Sequence, residues 1–228
     1  MKTLFLIATI LLSSMLIKAQ EIFFPSKVGV VLEYKSYDKK DGETGTTRYT
    51  ITEVNKMGKD MDITYLILKM DKDKKVQFED EITVNYKDDK LFLDMSNIFR
   101  QSILREKGEL PKNFKISGSD VVTPSYLKVG DKLPDSHVNM AIKRGIINIK
   151  IAINITYRTV EALEDITVPA GIFEAYKINS KMSAKASIIN KTSTSSEWLV
   201  KGIGMVKSES YDKKGELESY TELVSIQE

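Results

Sequence analysis

Ile147-Asn148-Ile149-Lys150-Ile151-Ala152-Ile153-Asn154-Ile155-Thr156-Tyr157 places a large apolar residue at every odd position and a polar or small one at every even position. Period-two alternation of β-branched residues lays one apolar row along one face of a strand. A slip of one residue would bury Asn148, Lys150 and Asn154 instead, so the pairing register is strongly specified. Phe78, Asp80, Ile82, Val84 and Tyr86 repeat the pattern, with Asp80 the exception near the expected strand start.

Outward from these two stretches, further strands are predicted over Val28–Tyr37, Thr46–Val54, Ile63–Met70, Ile172–Met182, Ser195–Val200, Ile203–Tyr211 and Leu217–Ile226. Turn signals rich in Gly, Asp, Asn and Lys separate them, among them Asp41-Gly42, Gly58-Lys59-Asp60, Asp88-Asp89 and Lys214-Gly215. Many strands at even spacing joined by tight turns predict a mainly β fold. The expected form is a single antiparallel meander making a curved sheet, half-barrel or open barrel. The tips Ser36–Glu43 and Ser210–Glu216 nearly repeat each other, which shared hairpin chemistry explains.

One segment changes period. Met95, Ile98, Phe99, Ser102 and Ile103 fall at helical spacing, with Asp94 positioned to cap the start, Gly108 to close the end and Pro111 just beyond. A short amphipathic helix near 94–108 must lay its apolar stripe on the sheet or across a concave opening. Leu110–Pro134, with three prolines, reads as an irregular lid or long crossover.

The N-terminus carries Lys2 and then an apolar run from Leu4 to Ile17, with Ala19 as a small residue at the cut. This is the layout of a cleavable secretory signal over residues 1–19. The run is shorter than the roughly 20 apolar residues that span a bilayer. An N-terminal arm (20–27) and a single β domain (28–228) follow, with no transmembrane segment expected in the mature chain. The chain has no cysteine, so disulfides, thiol catalysis, thiolate metal sites and lipid attachment through a thiol are not expected. The expected location is the periplasm or the extracellular space.

The charge balance changes with the signal removed. The chain has 34 basic and 32 acidic residues, and the signal takes Lys2 and Lys18 but no acid, which leaves the mature protein neutral. Its lysines alternate with acids, as in Asp38-Lys39-Lys40-Asp41, rather than forming the basic stripe a nucleic-acid partner requires. No nucleic-acid partner is expected.

Catalytic constellations are sparse. His137 is the only histidine, and no Gly-x-Ser-x-Gly elbow or Gly-Lys-Ser/Thr phosphate loop is present. No catalytic residue, cofactor or metal is predicted. The acid clusters Asp71/Asp73, Asp88/Asp89 and Glu79/Asp80/Glu81 read as strand ends and tips, where carboxylates favour turns. An acid-pair hydrolase would need two of them facing across a groove. Trp198, the only tryptophan, reads as a core anchor.

Two motifs in the C-terminal third carry a resemblance. Ile166-Thr167-Val168-Pro169-Ala170-Gly171-Ile172-Phe173-Glu174-Ala175-Tyr176 is followed by Glu197-Trp198-Leu199-Val200-Lys201-Gly202-Ile203-Gly204. Phe23-Phe24-Pro25, Leu32-Glu33-Tyr34 and Leu127-Lys128-Val129-Gly130-Asp131 extend it over nearly the whole mature chain. The set resembles the TapB-like family of exported bacterial domain-of-unknown-function proteins. The resemblance implies a curved antiparallel sheet similar to the half-barrel of periplasmic lipoprotein carriers, and it brings no catalytic residues.

A single amphipathic helix, a long isoleucine row and no reaction chemistry together predict a non-catalytic binding or carrier module for an apolar or lipid-like ligand. Its expected lining is Met95, Ile98, Phe99, Ile147, Ile149, Ile151, Ile153, Ile155 and Tyr157. The alternative is a structural or protein-interaction module of the envelope, binding an envelope protein and no small molecule. Such a module would use exposed strand edges or the Leu110–Pro134 span. Separately, the apolar faces could simply pack on each other and leave no cavity.

Overall fold

The computed structural model describes residues 22–111, 113–144, 147–186 and 189–228. The expected signal, residues 1–19, lies outside the described residues. The fold is mainly β: one antiparallel sheet of thirteen strands, not closed, with one short helix. In chain order the strands are β1 (Val31–Asp38), β2 (Glu43–Met57), β3 (Asp60–Asp71), β4 (Val76–Lys87) and β5 (Lys90–Leu93). Helix α1 (Met95–Lys107) follows, then β6 (Lys115–Gly118), β7 (Val121–Pro124), β8 (Ser136–Arg144) and β9 (Ile147–Val168). The chain ends with β10 (Gly171–Ala186), β11 (Ile189–Val200), β12 (Gly204–Tyr211) and β13 (Leu217–Gln227).

Strand order in the sheet is β6-β8-β9-β10-β11-β12-β13-β1-β2-β3-β4-β5-β7. The chain ends thus meet in mid-sheet, where β1 pairs with β13. The two edge strands, β6 and β7, are joined by only Ser119 and Asp120. Three residue steps reach at most about 11 Å, so the outer edges of a thirteen-stranded sheet must come within that distance. The sheet is therefore curled nearly into a barrel, with a seam at β6/β7 that no ladder closes.

Arg158 ties the seam from inside. It lies on β9 and is 5% exposed. Its Nη1 donates to the carbonyls of Val122 on β7 (2.7 Å) and Pro134 (3.3 Å), and Nη2 to Thr123 Oγ1 (3.5 Å). Burial pulls the guanidinium below its ordinary value, with the charges of Glu197 and Asp135 opposing that. Burial likewise pushes the Glu197 carboxyl up, with Arg158 opposing.

Alternation fills the interior. Leu32 and Tyr34 of β1, Met61, Ile63 and Tyr65 of β3, and Ile82, Val84 and Tyr86 of β4 are buried in one cluster with Val206 and Leu223. A second cluster joins Phe23, Leu127, Leu133, Val160, Ile178 and Leu199. Full burial of each large aliphatic side chain contributes about 1.5–3 kcal/mol. Ile22 and Phe23 of the N-terminal segment belong to this interior, and Gly202 N donates to the Ile22 carbonyl at 2.6 Å. Trp198 is buried beside Val168 and Ala175 in the first cluster, with Nε1 donating to Glu164 at 2.8 Å.

Local chemistry sets the ends of the elements. Asp94 caps α1 by accepting from Asn97 N at 2.9 Å, and Gly108 closes it in the left-handed conformation. The twin tips fold alike. Asp38 Oδ1 accepts from the amides of Lys40 and Gly42, and Asp212 Oδ1 from those of Lys214 and Glu216. These hydrogen bonds are the leading cause that lowers both carboxyls below their usual range. The first tip also meets β13, with Tyr37 stacked on Tyr220 at 4.8 Å and the Tyr220 hydroxyl donating to Asp41 at 2.9 Å.

The structure departs from sequence expectation in three places. Leu110–Pro134 is not wholly irregular, since it contains the edge strands β6 and β7. Asp80 does not sit at a tip: it is fully buried in β4, accepting from Glu81 N at 2.7 Å. The isoleucine strand does not stop at Tyr157 but runs on to Val168. At Tyr157 the register to β10 shifts and φ reaches 55°, so the bulge throws the tyrosine out of the row, 75% exposed.

Candidate functional site

The seam end of the sheet holds a cavity of about 890 Å³, open to solvent. Three neighbouring strands each supply three consecutive residues: Lys115–Ser117 of β6, Asn139–Ala141 of β8 and Lys150–Ala152 of β9. Lys185 of β10, Arg100 of α1 and Phe114 complete the wall.

Register decides which face the cavity occupies. Lys115, Ala141 and Lys150 stand opposite one another across the three strands. Ser117, Asn139, Ala152 and Lys185 form the next row on the same face. Ile116, Met140 and Ile151 lie between these rows, and alternation turns their side chains to the other face. The lining takes in Lys185 rather than its neighbour Ala186, which pairs with Ile151. The buried Val138, which shares a face with Met140, is outside it as well. Seven of the twelve described lining residues thus stand on the lysine face, with Ile116, Met140 and Ile151 lining the cavity from between them.

This arrangement places three lysines and one arginine around a floor of Ala141, Ala152 and Phe114, with Ser117 and Asn139 as polar neighbours. Adjacent strands lie about 4.8 Å apart, which sets Lys115 and Lys150, two strands apart, about 10 Å from each other at the backbone. Among the described residues no carboxylate lines the cavity. Nor does any hydrogen bond or ion pair to a described residue engage Arg100, Lys115, Lys150 or Lys185.

The residues expected to line one apolar site are dispersed. Ile98 packs its half-buried side chain on the core, while Met95 and Phe99 are also half-buried on α1. Ile151 is among the residues that line the cavity, and Ile153 is half-buried. Ile149 is 37% exposed. Ile155 lines a separate groove with Met182, Ser193, Ser195 and Glu197. Tyr157 lines another, of about 440 Å³, with Asn179, Ser196 and Tyr211. The side chain of Ile147 lies outside the described residues. The signal that would have found the cavity was the even positions of the same strand, Lys150 and Ala152, whose register partners are small or basic.

His137 is exposed and its Nδ1 lies 3.2 Å from Ser119 Oγ, which also accepts from the His137 amide at 3.1 Å. The pair braces the turn between the two seam strands. Among the described residues no group of His, Asp and Glu converges as metal ligands. No described helix is long and apolar enough to cross a membrane.

A curled, unclosed antiparallel sheet carrying one helix is a fold this chain shares with two solved bacterial proteins. One, from Bacteroides fragilis, is a candidate exported protein of YmcC-like fold. It superposes with a TM-score of 0.72 at 20% identity, covering 91% of this chain and 100% of that one. The other, a candidate lipoprotein from Parabacteroides distasonis, superposes with a TM-score of 0.72 at 23% identity, covering 91% and 99%. The chain belongs to the DUF3108-like family, which matches residues 27–223. No curated protein matches it.

Proposed function

We propose that this protein is a non-catalytic, exported binding or carrier module of the bacterial envelope whose cavity takes an apolar or lipid-like ligand. The observation that carries the reading is the open cavity of about 890 Å³ at the seam. Its size falls within the roughly 300–1,000 Å³ of small-molecule sites. A floor of Ala141, Ala152 and Phe114 beside Arg100 and the three lysines suits a ligand with one apolar and one polar end. The signal-like residues 1–19 support export, and the TapB-like motifs support kinship with half-barrel lipoprotein carriers. The two solved neighbours are themselves named for export and for lipid attachment.

The alternative, an interaction module of the envelope, would recruit a partner strand to the free edges of β6 and β7. Each of those strands has four residues, and short edge strands are a standard way of blunting such pairing. Native mass spectrometry of protein isolated from its own host tests the reading. A bound species of lipid mass that leaves on organic extraction is the expected result. Repeated apo spectra, with a protein partner at stoichiometric amount instead, would sink it.

A further inference from the structure

Several lysines elsewhere on the sheet pair with acids. Lys35 pairs with Glu43, Lys177 with Glu161, Lys191 with Glu218, and Lys207 with both Glu209 and Glu222. The cavity holds none of these pairs. Arg100, Lys115, Lys150 and Lys185 converge on one space with no carboxylate in its described lining and no described partner of their own. In a chain with 34 basic and 32 acidic residues, such segregation is not a consequence of overall charge. Cations gathered in a concave wall repel one another, and the concavity focuses their field toward an anion.

Resting on the amphiphile reading above, we infer that the ligand bears an anionic head, a phosphate or carboxylate on an acyl or alkyl chain. Arg100, Lys115, Lys150 and Lys185 receive that head. Lys115 and Lys150 flank Ala141 in one register row, and Lys185 stands beside Ala152 in the next, so the head sits above two small residues that leave room for it. Arg100 approaches from α1 and can present two parallel N–H groups to one head, the geometry that matches phosphate and carboxylate. Ser117 and Asn139 offer further hydrogen bonds to the head, and Phe114 offers a surface to the chain.

Calorimetric titration of the intact protein with dodecyl phosphate, dodecylphosphocholine and inorganic phosphate, each below any micellar concentration, tests this. Dodecyl phosphate is expected to bind at least about tenfold more tightly than dodecylphosphocholine, whose head has no net charge. The Lys150→Gln/Lys185→Gln variant, altered at two exposed side chains, is expected to keep the wild-type melting temperature. Its preference for dodecyl phosphate should shrink to roughly two- to threefold. Equal affinity for the two amphiphiles would overturn the anionic head and leave the amphiphile reading standing. Binding of neither would overturn both. Inorganic phosphate bound as tightly as dodecyl phosphate would make this a free-anion site and overturn the inference.

Discussion

Arg158→Ala is expected to lower unfolding stability by about 3–5 kcal/mol, the scale for breaking a buried charged network by removing one partner. The substitution removes the donor shared by the carbonyls of Val122 and Pro134 and the hydroxyl of Thr123. It also leaves Glu197 without its opposing charge. Because those partners span from β9 to the edge strand β7, the loss falls on the seam that keeps the sheet curled. Arg158→Lys should recover little, since an ammonium is a point donor and cannot reproduce the guanidinium fork. Arg158→Met with Glu197→Gln should recover part of the loss by removing the orphaned charge. Urea unfolding followed by the fluorescence of the single tryptophan measures each variant. A loss for Arg158→Ala below about 1 kcal/mol would mean that the seam is held by something other than this side chain.

Trp198→Ala carries a similar expected cost, about 3–5 kcal/mol for truncating a large core aromatic. The indole is 5% exposed and packs in the main core. Its ring is flanked in register by Lys177 and Lys207, whose ammonium groups lie 5.5 Å and 5.7 Å from the centroid. Trp198→Phe separates the contributions. It keeps most of the packing and loses the Nε1 bond to Glu164, at about 1 kcal/mol. Thermal unfolding by circular dichroism reads both variants, since the fluorescent reporter is gone. A Phe variant as unstable as the Ala variant would place the stabilisation in the hydrogen bond rather than in the packing.

Much of the fold was legible because its strands bury one face each. Phe78–Tyr86 and Ile147–Ile155 alternate cleanly, and α1 announces itself through a helical stripe with Asp94 and Gly108 at its ends. What escaped was non-local. β6 and β7 are four residues each in a proline-bearing stretch, and nothing local says that they occupy opposite edges of one sheet. Arg158, one residue past the bulge at Tyr157, follows an alternation that the bulge has already shifted, so its burial could not be read from parity.

The candidate site was half legible for a related reason. The isoleucines drew attention to the apolar face of β9, whereas most of the cavity's described lining stands on the face of Lys150 and Ala152. A lysine in an alternating strand ordinarily reads as a solvated position. Only the pairing of β6, β8, β9 and β10 gathers Lys115, Lys150 and Lys185 around small residues, and pairing between such distant segments is not written in any one of them.

Methyl-resolved NMR during titration with dodecyl phosphate tests most directly that ligand binds on the lysine face at the seam. Ala141 and Ala152 have methyls on that face, while Val138 and Ile153 alternate to the other. Saturable shifts of the Ala141 and Ala152 methyls, with Val138 and Ile153 little changed, are the predicted result. Shifts confined to Val138, Ile153 and Ile155, or no saturable shift at all, would contradict it.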